Sequence, residues 1–252
     1  MQCDIGCEKT RIENFIRQAI WSAGAEGVVV GVSGGIDSAV VTALASGSLG
    51  SDRVSAFFLP SATTPPADEE DVRRLCQDLS IDLQVIPIDG IIDAYRRMDG
   101  FVEEPSLVGN LMARTRMAIL YYQANLSNRL VIGTSNRTEY LIGYCTKWGD
   151  NAADLQPILH LSKQDVYLLG EELRIPGTIM KKVPSAGLWE GQSDEKELGI
   201  TYPVLDATLA LLEENGWKAE GEIQERVLEM VKRSVHKRMP AFSLAGSSPR
   251  CE

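Results

Sequence analysis

A run of β-branched residues that ends in a glycine-rich turn constrains this chain more than any other feature. The run Gly27-Val-Val-Val-Gly-Val32 lacks polar alternation, a pattern typical of a strand covered on both faces in a parallel sheet. It leads into Ser33-Gly-Gly-Ile-Asp-Ser38 and then into a helical segment, Ala39-Val-Val-Thr-Ala-Leu-Ala45. A strand, a tight turn and a helix in this order direct backbone N–H groups and the positive end of a helix dipole to one point. The turn is therefore a candidate anion site.

Strands and helices alternate along the first half of the chain. The other predicted strands cover 53–59, 83–88 and 130–133, and the other predicted helices cover 8–22, 67–79, 91–97 and 106–125. This alternation predicts an α/β fold: an open parallel sheet with helices on both faces. Beyond it, the predicted loops are 144–161 and 184–199, and the predicted helices are 166–173 and 221–238. Ser162 and Asp165 form a capping-box pattern before the first of these helices.

The charge balance argues against nucleic acid as a partner. The chain has 25 Lys and Arg residues and 35 Asp and Glu residues, which gives a net charge of −10. Such a surface repels phosphate backbones. No stretch approaches the roughly 18 consecutive apolar residues that cross a bilayer, and the amino terminus lacks the basic-then-apolar pattern of a signal peptide. We therefore expect a cytoplasmic protein without membrane or nucleic-acid partners.

The length of the chain and its cysteines indicate the number of domains and the state of the thiols. The 252 residues, without repeats or low-complexity linkers, predict one domain over 1–252 with flexible ends at 1–7 and 241–252. The five cysteines are odd in number and scattered, which does not match the disulfide framework of a secreted protein. Because the chain has only two histidines, Cys3 and Cys7 lack partners for a structural metal site. We expect reduced thiols.

The glycine-rich turn differs from two common phosphate motifs. The Walker pattern needs a lysine that is absent here, and Gly31, Gly34 and Gly35 do not have the spacing of a dinucleotide fingerprint. Asp37 is unusual, because a carboxylate in the first turn of a phosphate-binding helix repels its ligand unless a divalent cation bridges them. The alternative is that Asp37 only stabilises the helix dipole.

The turn and four later segments carry a family resemblance. Ser33-Gly-Gly-Ile-Asp-Ser38 resembles the pyrophosphate loop of the N-type ATP pyrophosphatases, which cleave ATP to AMP and pyrophosphate and include NAD synthetases, GMP synthetases and tRNA-modifying enzymes. The later segments, in the same order as in NAD synthetases, are 108–117, 133–139, 144–150 and 184–195. The chain thus resembles the NAD synthetases from about residue 11 to 238, which implies an adenine nucleotide alpha hydrolase-like fold.

The resemblance implies a reaction in two halves. The nicotinate carboxylate of deamido-NAD attacks the α-phosphorus of ATP, and ammonia then displaces AMP to give NAD. It also implies Mg²⁺, a homodimer with the deamido-NAD site across its interface, and a mobile lid at 184–199. Because no additional amino-terminal domain for glutamine hydrolysis is seen, we expect ammonia as the nitrogen donor.

The same resemblance assigns residues to roles. It implies catalytic roles for Asp37 and Lys163 and a magnesium site at Asp37 and Glu139. The implied ATP contacts are Gly31, Val32, Ser33, Gly34, Gly35, Ile36, Asp37, Ser38, Thr134, Lys163 and Ser185. The implied deamido-NAD contacts are Arg114, Lys147, Asp154, His236 and Lys237.

Several of these residues have simpler explanations. Glu139 can be a solvated helix charge, Arg114 a side chain that extends from an apolar interface, and His236 a favourable cation at a helix end. Segment 61–70 departs from the family pattern, so we assign it no nucleotide contact. Two other functions stay open. One is an ATP pyrophosphatase with another acceptor, such as GMP synthesis or tRNA modification, and the other is a non-catalytic nucleotide-binding protein.

Overall fold

The computed structural model describes residues 5–189 and 191–241. In chain order the elements are α1 (Ile5–Ala23), β1 (Val28–Gly31), α2 (Ile36–Leu49), β2 (Val54–Phe58), α3 (Pro66–Asp78), β3 (Leu83–Val85), α4 (Asp89–Arg96), α5 (Pro105–Leu126), β4 (Leu130–Val131), α6 (Arg137–Ile142), α7 (Lys163–Glu172), α8 (Gly177–Met180), α9 (Asp194–Leu198), α10 (Tyr202–Glu214), α11 (Glu222–Arg233) and α12 (Val235–Arg238). Of the predicted flexible ends, 1–7 and 241–252, residues 1–4 and 242–252 lie outside the described residues.

The four strands form one parallel sheet in the order β3-β2-β1-β4. Val28 of β1 pairs with Val54 on one side and Leu130 on the other. The chain proceeds from β1 through β2 to β3 in one direction and places β4 on the opposite side of β1. Connections therefore diverge at the carboxyl ends of β1 and β4, which is where open α/β sheets form their ligand crevice.

Both faces of the sheet are covered, as predicted. Val28 and Val30 pack in a core with α1, α2, α3 and α7, whereas Val29 packs on the opposite face with α4 and α5. All three valines are 0% exposed. This explains why β1 shows no polar alternation: successive side chains point to opposite faces, and each face is buried.

Several predicted boundaries are wrong. Residues 5–7, predicted as part of a flexible end, begin α1. The predicted loop 184–199 contains α9, and the predicted final helix breaks at Ser234 into α11 and α12. At the break, Ser234 packs closely against Gly143, where a Cβ would lie only 2.1 Å from the Ser234 side chain. The capping box of Ser162 and Asp165 is confirmed at the start of α7.

Helices α6 and α10 were not predicted. They form a third apolar cluster with α11, separate from the two cores that cover the sheet. Leu205, Leu209 and Leu212 of α10 are buried in it, and their spacing is the helical pattern that sequence inspection overlooked. In the described parts of the chain, no helix is both long and apolar enough to cross a membrane. The single-domain organisation over 1–252 stays a prediction.

The described thiols differ in exposure, which gives a first testable prediction. Cys7 is exposed, whereas burial raises the pKa of Cys76 and of Cys145 to about 11. Because the thiolate is the reactive form, we expect iodoacetamide at pH 8 to label Cys7 and to leave Cys76 and Cys145 nearly unmodified. Peptide mass spectrometry measures this, and labelling in urea is the control. Equal labelling of Cys7 and Cys76 in the folded protein would contradict the prediction.

Candidate active site

The glycine-rich turn joins β1 to α2 and is held by two serine hydroxyls. Ser38 Oγ accepts a hydrogen bond from the Ser33 amide at 3.1 Å and donates to the Gly35 carbonyl at 3.0 Å. Gly34 has φ of +81°, a conformation that favours glycine. Gly35 precedes α2 without a side-chain cap on the helix. The first amides of α2 are therefore available to an anion.

Three charged side chains meet beside this turn. Lys163 Nζ lies 2.7 Å from Asp37 Oδ2 and 2.9 Å from Glu139 Oε1. Lys163 is only 3% exposed. Asp37 is in the first turn of α2 after β1, and Glu139 is in the first turn of α6 after β4. The two carboxylates converge because β1 and β4 are neighbours whose carboxyl ends open at the same crevice.

Burial and charge act against each other in this cluster. Burial alone lowers the pKa of Lys163, but the attraction of Asp37 and Glu139 is stronger and raises that pKa above its ordinary value. Lys163 is therefore an ammonium ion throughout the neutral range. Burial raises the pKa of Glu139 to about 7 against the opposing attraction of Lys163. A further cation beside Glu139 would favour its ionised form.

One buried amide links the Asp37 carboxylate to the backbone of Glu139. Asn136 is 0% exposed, and its Nδ2 donates to Asp37 Oδ1 at 2.8 Å. Its Oδ1 accepts from the Glu139 amide at 3.0 Å and so caps the start of α6. The sequence carried a signal for this residue, because Asn followed three positions later by Glu is a helix-start pattern. We did not assign Asn136 from the sequence.

Two tyrosines connect the charged cluster to the segment after α8. Tyr202 OH lies 2.9 Å from Asp194 Oδ2 and 3.3 Å from Glu139 Oε1, and its ring lies 4.8 Å below Lys163 Nζ. Asp194 also accepts from Tyr144 OH at 3.1 Å and from the Ala186 amide at 3.0 Å. Burial raises the pKa of Asp194. This network ties the residues next to Ser185 to Glu139.

The donor set suits a magnesium ion. Asp37 and Glu139 already direct carboxylate oxygens at one cation, the Lys163 ammonium. Mg²⁺ in nucleotide enzymes is usually held by one or two carboxylates together with substrate phosphates and water. Among residues 5–189 and 191–241, no group of three or more His, Cys, Asp or Glu side chains could hold a metal. If Mg²⁺ binds here, Asp37 and Glu139 would hold it, with the other ligands supplied by phosphate oxygens and water.

Comparison with known proteins identifies the family. A family model described as NAD synthase matches residues 8–241. The chain belongs to the NAD synthase family. The NH(3)-dependent NAD(+) synthetase of Methanoregula boonei is 49% identical over 244 residues, which cover 97% of this chain and 98% of that protein.

Two solved structures share the fold over nearly their whole length. The NMN synthetase of Francisella tularensis is 37% identical with a TM-score of 0.88, and the match covers 96% of this chain and 99% of that chain. The NH3-dependent NAD synthetase of Campylobacter jejuni is 32% identical with a TM-score of 0.82, covering 96% and 100%. The predicted resemblance to NAD synthetases and the predicted fold are confirmed.

Two further predicted ATP contacts of this NAD synthase family member lie at the same edge of the sheet. Thr134 is half-buried and comes shortly after β4. Ser185 is exposed, follows α8, and its Oγ accepts a hydrogen bond from the Gly187 amide at 3.1 Å. Their roles in ATP binding stay predictions.

The predicted deamido-NAD contacts fall into two groups. Arg114 and Lys147 are together, because Arg114 Nε donates to the Lys147 carbonyl at 3.2 Å. Arg114 also lines a groove of about 410 Å³ between α4 and α5. Asp154 instead supports the edge of the sheet: its Oδ2 accepts from the Val131 amide at 2.7 Å.

Two of the predicted deamido-NAD contacts lie near the end of the described chain and differ from each other. Lys237 Nζ donates to the carbonyls of Gly143 and Cys145, both at 2.7 Å, and so holds the segment that follows α6. His236 lies on α12 and is exposed. The structure gives Lys237 a local structural role that the sequence did not predict. Binding of deamido-NAD by His236 and Lys237 stays a prediction.

Proposed function

We propose that this protein catalyses the ATP-dependent amidation of deamido-NAD to NAD with ammonia, releasing AMP and pyrophosphate. The observation that carries this proposal is the buried cluster of Asp37, Glu139 and Lys163 beside the glycine-rich turn. Membership of the NAD synthase family and the names of the relatives support the same reaction. The relatives also favour ammonia over glutamine as the nitrogen donor.

The first half-reaction joins two anions, so its main requirement is charge neutralisation. The turn at 31–38 and the amides of α2 bind the phosphates of ATP, and Lys163 supplies a fixed positive charge. Mg²⁺ held by Asp37 and Glu139 would neutralise charge that develops on the pyrophosphate. The nicotinate carboxylate oxygen forms a bond to the α-phosphorus as the bond to the β-phosphate oxygen breaks. Pyrophosphate leaves with that electron pair.

In the second half-reaction, ammonia must reach the adenylate while water is kept out of the active site. Ammonia attacks the carboxyl carbon of the adenylate, the bond from that carbon to the AMP oxygen breaks with AMP taking the electron pair, and the nitrogen loses one proton to give the amide. Water at the same position would hydrolyse the adenylate. The segment around Ser185, held to Asp194 through the Ala186 amide, is suited to act as the lid that excludes water.

One assay tests the proposed function. Purified protein is incubated with ATP, Mg²⁺ and deamido-NAD, with either ammonium or glutamine, and NAD and AMP are separated by chromatography. We expect equal amounts of NAD and AMP with ammonium alone. AMP without NAD would indicate idle ATP hydrolysis, and no turnover despite ATP binding would favour another acceptor or a non-catalytic protein. Because the Francisella tularensis neighbour is an NMN synthetase, nicotinate mononucleotide is assayed in parallel.

We further propose that the protein is a homodimer in the cytoplasm. The groove between α4 and α5 has mostly apolar lining, and its edge includes Tyr122, which is 65% exposed. Leu126, one helical turn further along α5, is 71% exposed. Exposed apolar side chains grouped on one helix are typical of a protein interface. A second copy on this groove would lie against Arg114, the predicted deamido-NAD contact.

The dimer proposal predicts the effect of one substitution. Tyr122→Lys places a charge in the groove, so we expect sedimentation velocity to show monomer where the unaltered protein is a dimer. Trp21→Lys is the matched control, because Trp21 is 85% exposed on α1, on the opposite face of the sheet. A monomeric unaltered protein, or a Tyr122→Lys variant that stays dimeric, would contradict the proposal.

A further inference from the structure

A second lysine reaches the glycine-rich turn from the segment that follows α8. Lys182 Nζ lies 2.9 Å from the Gly34 carbonyl oxygen, 2.8 Å from Asp68 Oδ1 and 2.8 Å from Asp71 Oδ2. Asp68 and Asp71 both belong to α3, whose first turn lies beside the glycine-rich turn. Lys182 therefore joins three parts of the molecule: the turn, α3 and the segment that carries Ser185.

The contacts of Lys182 use all of its hydrogen-bond donors. An ammonium group has three N–H donors and no acceptor, and here they face one carbonyl and two carboxylates. Burial lowers the pKa of Lys182, but Asp68 and Asp71 raise it by more, so the group keeps its charge at neutral pH. No donor is left for a phosphate oxygen. Lys182 is thus arranged differently from a lysine that binds phosphate directly.

The contact with Gly34 fixes the direction of the next amide. A peptide bond is planar and trans, so the carbonyl of one residue and the N–H of the next point in opposite directions. Because Lys182 holds the Gly34 carbonyl on one side, the Gly35 N–H points to the other side, where it lies 3.2 Å from Ser33 Oγ. Lys182 and Ser33 therefore hold the two sides of the peptide between Gly34 and Gly35.

Packing and backbone conformation both favour glycine at this contact. A Cβ on Gly34 would lie 3.2 Å from Asp68 Cβ and 3.3 Å from Lys182 Nζ. Both distances are tighter than ordinary van der Waals contact, and the φ of +81° at Gly34 adds strain for any other residue. A side chain at position 34 would therefore disturb the contact between Lys182 and the turn.

We infer that Lys182 is a positioning residue that holds the glycine-rich turn in its phosphate-binding conformation, with Asp68 and Asp71 as its anchors. This inference rests on the proposed binding of ATP at the turn. The positioning role predicts an effect of Asp68 and Asp71 on ATP binding that is opposite to the effect of charge repulsion. Carboxylates near a triphosphate weaken its binding by repulsion, yet Asp68 and Asp71 strengthen ATP binding because they hold Lys182 on Gly34.

The first test replaces the lysine. In Lys182→Met we expect the KM for ATP to rise about tenfold, the usual scale for loss of a charge-assisted hydrogen bond. The KM for deamido-NAD and kcat at saturating ATP stay close to those of the unaltered protein, because the loss affects ATP binding. Lys181→Met is the matched control. Because Lys181 is adjacent and exposed, we expect the Lys181→Met variant to keep the KM for ATP of the unaltered protein. Lys182→Arg, which keeps the charge and several donors, restores part of the affinity.

The second test removes the anchors. The double variant Asp68→Asn, Asp71→Asn takes two negative charges from the neighbourhood of ATP. Repulsion alone predicts a lower KM for ATP, whereas the positioning role predicts a KM several-fold higher. An unchanged or lower KM would overturn the inference, even if Lys182→Met does not fold well enough to assay.

Direct binding separates the inference from the proposed function. Isothermal titration of ATP with Mg²⁺ is made on the unaltered protein and on each variant, with melting temperatures as the fold control. If the unaltered protein does not bind ATP, the proposed function fails. If it binds ATP, and Lys182→Met binds as tightly as Lys181→Met, only the positioning role of Lys182 fails.

Discussion

Replacing Asp37 with asparagine is expected to lower the rate of AMP formation by about a thousandfold, the scale seen when an essential electrostatic group is removed. Asp37 is the carboxylate that contacts both Lys163 and Asn136. An amide has nearly the same shape but carries no charge and is a poorer ligand for Mg²⁺. If Asp37 is a magnesium ligand, as proposed, the loss of activity should persist at high Mg²⁺ concentration, because added Mg²⁺ does not replace the missing carboxylate. The measurement is the initial rate of AMP formation over a range of Mg²⁺ concentrations.

The control for this prediction is Asp82→Asn, which makes the same chemical change at an exposed position. We expect normal activity from it. The Asp37→Asn variant keeps the contact between Lys163 and Glu139, so its melting temperature should stay close to that of the unaltered protein. If Asp37→Asn keeps more than about a tenth of the activity, Asp37 has no essential role in metal or phosphate binding.

Replacing Lys163 with methionine is expected to abolish activity and also to destabilise the fold. Lys163 is almost fully buried and is the cation between Asp37 and Glu139. Breaking a buried ion pair by removing one partner typically costs about 3 to 5 kcal/mol, because the remaining charge is left without compensation. The free energy of unfolding, measured by urea denaturation, should fall by that amount at pH 8.

The same variant should show a stability deficit that depends on pH. Without Lys163, burial and the neighbouring Asp37 both raise the pKa of Glu139, which is already about 7 against an ordinary value of 4.5. Between the unfolded and folded pKa values the native state binds more protons than the unfolded state, so stability falls as pH rises. We therefore expect a smaller deficit at pH 5 than at pH 8. Equal deficits at both pH values would show that Glu139 does not take up a proton, and Lys181→Met is the control for loss of a lysine.

Local sequence patterns predicted the parts of the fold that depend on residues close together in the chain. The buried valine run of β1, the turn after it and the capping box of α7 were each visible within a few residues. Boundaries set by tertiary contacts were not visible. Ser234, at the break between α11 and α12, donates to the Leu141 carbonyl and packs against Gly143, more than ninety residues earlier in the chain.

In the candidate site, too, some residues were predicted from the sequence and others were not. Asp37, Glu139 and Lys163 were assigned through the family resemblance, and the structure brings them together. The supporting residues lie far apart in the chain: Tyr202 reaches Glu139 across 63 positions and Lys182 reaches Gly34 across 148. No spacing rule connects such pairs, because the packing of helices and loops around the sheet decides which distant segments become neighbours.

The enzyme can become active only after the charged cluster of Asp37, Glu139 and Lys163 has formed during folding. Asp37 and Lys163 are separated by 126 positions, and contacts between such distant segments form late, because the entropy of closing a long loop must be overcome first. The pairing of β1 with β2 joins segments that are closer in the chain, such as Val28 and Val54, but with these strands alone the turn still lacks Glu139 and Lys163. Residue 163 must be synthesised, and α7 must dock against α2, before the cluster exists. Enzymatic turnover in this chain is thus a readout of completed folding, and fragments that end before α7 should be inactive however well their sheet is formed.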